Sequence, residues 1–61
     1  MGVYREFIEL TYGERKICLR VSHIEAILEY EEGTSIIYTS SGNMYGVEES
    51  YDYITRMLME D

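Results

Sequence analysis

The sequence predicts a small α+β domain: an antiparallel β-meander of about five strands with one C-terminal amphipathic helix, all in a single unit over residues 1–61. Three observations carry this reading. Residues 6–21 alternate apolar and polar side chains with the two-residue period of half-buried strands. Glycine-bearing turns recur at Gly13, Gly33 and Gly42, each between strand-like runs. After Ser50 the period becomes helical, with Tyr51, Ile54 and Leu58 recurring and Met57 beside them.

The first strand, residues 6–12, places Ile8, Leu10 and Tyr12 on one face and Phe7, Glu9 and Thr11 on the other. Gly13-Glu14 reads as a turn. Arg15 to Val21 then alternates again, with Ile17, Leu19 and Val21 inward and Lys16, Cys18 and Arg20 outward, so the two strands form a hairpin. Ser22-His23-Ile24-Glu25 has the spacing of a capping box, in which the serine oxygen and the glutamate carboxylate each satisfy a backbone N–H at a helix start. It predicts one helical turn over residues 22–25, leading into a third strand from Ala26 to Glu31. Glu32-Gly33-Thr34 gives the next turn, and Ser35 to Ser40 a fourth strand built on Ile36, Ile37 and Tyr38. Ser41-Gly42-Asn43 closes a hairpin into a fifth strand, Met44 to Val47. Ser50 is the expected N-cap of the helix, and carboxylates at Glu48, Glu49 and Asp52 near its positive end are favourable by about 0.3–1 kcal/mol each. A helix of about ten residues is not stable alone. Its apolar stripe must therefore pack on the sheet or on another subunit.

Charge is distributed unevenly. Of twelve acidic residues, nine follow Arg20 and only Arg56 opposes them, so residues 21–61 carry −8 against +1 for the first twenty. Four of the five basic side chains, counting Arg5, belong to the first hairpin. An overall −7 repels phosphate backbones and anionic membrane surfaces, which excludes direct nucleic-acid or membrane binding as the expected role. No window approaches the roughly 18 apolar residues of a membrane span, and the first residues lack a signal-like apolar stretch, so a soluble protein is expected. The single cysteine, Cys18, cannot form an internal disulfide, which fits a reducing bacterial cytoplasm. A chain this short buries only about 60% of the surface its unfolded form exposes, so self-association is a natural remedy for a thin core. A homodimer is the default expectation.

The runs Phe7 to Thr11, Ile17 to Ile27, Gly33 to Gly42 and Val47 to Ile54 resemble the small flagellar and swarming-motility protein family. They are also similar to short bacteriophage proteins. The likeness covers about fifty residues, chiefly through apolar alternation. Against the motility family, Met1 to Glu6 is extra, the first turn is Tyr12-Gly13-Glu14 where that family has Asn-Gly or a similar pair, and the terminal helix is richer in tyrosine. The motility resemblance implies a β-rich cytoplasmic protein without enzymatic activity, acting through contact with other proteins. The phage resemblance implies a host-directed accessory role, including inhibition of a bacterial defence system. Neither supplies a catalytic residue.

Residue chemistry agrees with a non-enzymatic role. His23 and Cys18 are the strongest nucleophile or metal-ligand types, but a structural zinc site needs about four ligands and a Cys/His pair needs a positioned third group. Glu48, Glu49 and Asp52 match no EF-hand spacing, and a solvated helix start explains them without an ion. Gly42 and Gly46 open no helix and no lysine follows them, so no phosphate loop is present. Neither cofactor nor metal is expected. Tyrosine is the informative residue: seven tyrosines stand beside one phenylalanine and no tryptophan, and tyrosine joins a large contact area to a polar tip.

The leading expectation is a small homo-oligomer that docks on a larger protein with a basic surface and inhibits or tunes it, most concretely a phage-encoded inhibitor of bacterial defence. Tyr51 and Tyr53, with Glu48, Glu49, Asp52, Glu31 and Glu32, are its expected partner-binding residues, and Ile54, Met57 and Leu58 its expected oligomer interface. A DNA mimic is the alternative, presenting Glu25, Glu29, Glu31, Glu32, Glu48, Glu49 and Asp52 as a surrogate phosphate array. A motility accessory protein is the third reading. A small-molecule sponge would need Arg5, Arg15, Lys16 and Arg20 to converge.

Overall fold

A computed structural model describes residues 6–59; Arg5, assigned above to the basic hairpin, lies outside them. The element order is β1 (Phe7–Tyr12), β2 (Arg15–Arg20), a 3-10 turn (Val21–His23), β3 (Ile24–Glu29), β4 (Ser35–Thr39), β5 (Met44–Val47) and α1 (Tyr51–Met59). The class is the expected α+β, with five antiparallel strands and a C-terminal helix.

The β1–β2 ladder sets Ile8 opposite Leu19 and Leu10 opposite Ile17, so the alternation of both strands delivers its aliphatic side chains to one face. The two-residue turn is closed by Gly13 at φ 65. Positive φ at the first turn position alone is the pattern of a II′ hairpin turn, whose twist matches that of the strands it joins.

Instead of one open sheet, the strands divide into two ladders, β1-β2 and β3-β4-β5. The 3-10 turn explains the break, because it separates β2 from β3 and takes the chain out of the first ladder. The expected capping box at Ser22 and Glu25 does not form: the turn begins one residue earlier, Arg20 occupies the cap position without a side-chain bond, and Ile24 is already extended. A capping box needs a helix long enough to bring its fourth residue back over the first. Here Glu25 enters β3. It falls between the pairs Ile24↔Thr39 and Ala26↔Tyr38 as the extra residue of a bulge. That one-residue shift turns both Ile24 and Ile27 toward the core, which strict alternation would forbid.

β3 ends at Glu29 and not at Glu31, because Tyr30 and Thr34 already bond across the turn: Tyr30 N–H donates to the Thr34 carbonyl at 3.1 Å and Thr34 N–H to the Glu31 carbonyl at 2.8 Å. The two ladders are joined along β1 and β5, where Glu48 N–H donates to the Thr11 carbonyl at 2.9 Å. One core lies between them, made of Ile8, Leu10, Leu19, Ile37, Val47 and Ile54. Ser50 caps α1 as expected: its hydroxyl accepts from Tyr53 N–H at 3.1 Å and its carbonyl from Ile54 N–H at 3.1 Å. The inward stripe of α1 is Ile54, Met57 and Leu58, while Tyr51 is exposed. No helix is long and apolar enough to cross a membrane among the described residues.

Candidate partner-binding surface

The expected partner-binding residues converge on one end of the molecule. Ser35 Oγ donates to the Glu49 carbonyl at 2.9 Å, which holds the β3–β4 turn, carrying Glu31 and Glu32, against the β5–α1 connection. Glu29, paired with Ser35, and Glu48, just past Val47, complete that end, and all four carboxylates are exposed. The first turn of α1 follows directly with Tyr51 at 40% exposure, Asp52, and Tyr53 at 51%. At about 100° per residue, Tyr51 and Tyr53 lie roughly 200° apart on the two flanks of the helix. They form two flanks of one helix start, with Asp52 between them, and a partner must straddle that turn to touch both.

Glu49 differs from its neighbours. Its carboxylate accepts the Thr11 backbone N–H at 2.9 and 3.1 Å and the Thr11 hydroxyl at 2.9 Å. It is half-buried and turned into the fold, which withdraws it from the acidic surface. Ile54, expected between subunits, is fully buried in the chain's own core, and Met57 and Leu58 are half-buried against that core. The reason is the thin core itself: with few large side chains available, the helix stripe completes it.

Cys18 is exposed on the outer face of β2, and His23 is exposed at the end of the 3-10 turn. Among the described residues, no group of three or more His, Cys, Asp or Glu is placed to hold a metal ion. Asp52, Thr55, Arg56 and Met59 line a shallow depression of about 340 Å³ on the solvent side of α1. On the basic hairpin, the Arg20 guanidinium lies over the Phe7 ring at 4.6 Å, a cation–π contact that fixes one of the few cations in the chain.

Two features escaped sequence reasoning. The Thr11–Glu49 contact spans 38 residues and has no local signature. The second is the outer face of β3-β4-β5. Register places Ala26, Leu28, Ile36, Tyr38, Met44 and Gly46 on the side opposite the buried Ser35, Ile37 and Thr39. Its signal was present in Ile36-Ile37-Tyr38, since consecutive apolar residues in one strand mark two apolar faces.

No protein-family model matches this chain, and no curated protein or solved structure matches it.

Proposed function

We propose that the chain is a non-enzymatic protein-binding modulator: a small acidic homo-oligomer that docks on a larger protein with a basic surface and inhibits or tunes it. Its most concrete form is a phage-encoded inhibitor of a bacterial defence protein in the host cytoplasm. The observation that carries the reading is the exposure of Tyr51, Asp52 and Tyr53 on the first turn of α1, at the end where Glu31, Glu32 and Glu48 gather. The carboxylates steer encounter with a basic surface and raise the association rate, while the tyrosine rings supply contact area. This arrangement favours a protein partner over DNA mimicry, because Glu49, one member of the required array, is occupied by Thr11.

Affinity capture from bacterial lysate at low and high salt tests the proposal. A single large partner retained at high salt supports it. A set of DNA-binding proteins released by salt would favour the mimic, and no retained protein would overturn both.

A further inference from the structure

The outer face of β3-β4-β5 is apolar, unpartnered among the described residues, and bordered by carboxylates on the β3–β4 turn and just past β5. Leu28 is 48% exposed and Met44 62% exposed, with Ile36 and Tyr38 half-buried between them and Ala26 and Gly46 completing the face. None of these side chains belongs to the core cluster or packs against it. No Lys, Arg or His occurs between residues 24 and 55, whereas Glu25, Glu29, Glu31, Glu32 and Glu48 are all exposed around this sheet. Its dimensions are narrow. Three strands about 4.8 Å apart and about five residues long give a face of roughly 10 by 17 Å, far below the roughly 800 Å² per partner of a standard protein interface.

Both facts argue against a second copy. Two-fold pairing through this face would bring two sets of the same carboxylates together and bury too little area to offset their repulsion. They fit a different occupant. An α-helix is about 10–12 Å across, and about three turns of it span 17 Å. We propose that this face is the docking surface for a basic amphipathic helix of the partner protein. The helix lays its apolar stripe on Leu28, Ile36, Tyr38 and Met44, and its flanking Lys and Arg side chains reach Glu31 and Glu32 in the β3–β4 turn and Glu48 just past β5. The proposal rests on the protein-binding reading and specifies the chemistry of the partner.

The test is fluorescence anisotropy with two labelled peptides of about 14 leucines and lysines, a length of about four turns. One segregates leucine at helical spacing and the other scrambles the same composition. The segregated peptide should bind saturably and more tightly, and the Leu28→Glu/Met44→Glu variant should weaken it by about tenfold or more, as loss of an interface anchor does. Amide shift changes in the unsubstituted protein should cluster on residues 26–28, 36–38 and 44–46, which keeps the test valid if the variant fails to fold. Equal binding of both peptides, or shifts elsewhere, would overturn the proposal. Binding lost only on Tyr51→Ala/Tyr53→Ala would overturn this face while leaving the helix-start reading intact. A dimer that Leu28→Glu dissociates would assign the face to a second copy instead.

Discussion

Thr11 and Glu49 tie the two ladders together: one carboxylate accepts both the backbone N–H and the hydroxyl of Thr11, at 2.9 to 3.1 Å, across 38 residues of chain. Beside it, Glu48 N–H closes the β1–β5 contact at the Thr11 carbonyl. Glu49→Ala strips the acceptor from a half-buried N–H and should cost about 1–3 kcal/mol, read as a lower urea midpoint. A double-mutant cycle with Thr11→Val should show coupling through the hydroxyl bond. Additive losses would mean that the hydroxyl bond adds nothing to this contact, and an unchanged urea midpoint in Glu49→Ala would mean that the contact does not hold the ladders.

Ile54 is the helix's main contribution to the core, fully buried among Ile8, Leu10, Leu19, Ile37 and Val47. Ile54→Ala should cost about 2–5 kcal/mol. A domain of this size has only roughly 3–9 kcal/mol in total. The variant should therefore melt far below the parent, and Ile54→Asp should not fold at all. An unchanged melting temperature would contradict the packing of α1.

Ser50 satisfies the first turn of α1 through its hydroxyl. Ser50→Ala should lose about 1 kcal/mol, and Ser50→Gly only a few tenths. Equal losses from the two substitutions would show that the hydroxyl is not what matters.

Glu31 and Glu32 are exposed, and in the proposed function they steer encounter and add little to stability. Glu31→Gln/Glu32→Gln should leave unfolding within about 0.5 kcal/mol of the parent. Association with a basic partner should slow, and its salt dependence should flatten, with dissociation nearly unchanged. A change confined to dissociation would place these carboxylates inside a buried contact instead of at its rim.

Most of the architecture was readable because the side-chain period reported it. Ile8, Leu10, Ile17 and Leu19 show the two-residue repeat and pair across β1–β2, and Ser50 with Ile54 marks the change to a helical period. What was not readable depends on tertiary context. The Ser22–Glu25 spacing is a local signal overridden when the chain re-extended at Ile24. The bulge at Glu25 reveals itself only through the register of β3 against β4. At the candidate surface, Glu48 and Glu49 are adjacent in sequence and chemically alike, yet one faces solvent and the other binds Thr11. Only the approach of β1 to β5 separates their roles.

The proposed contact joins the acidic end of this chain to a larger protein with a basic surface. Its most direct test is site-specific photocrosslinking in bacterial lysate, with a benzophenone residue placed at Tyr53 in one sample and at Arg15, on the basic hairpin, in another. One dominant adduct of higher mass is expected from position 53, absent from position 15 and suppressed by excess unlabelled protein. No adduct at position 53, or the same adducts from both positions, would contradict it.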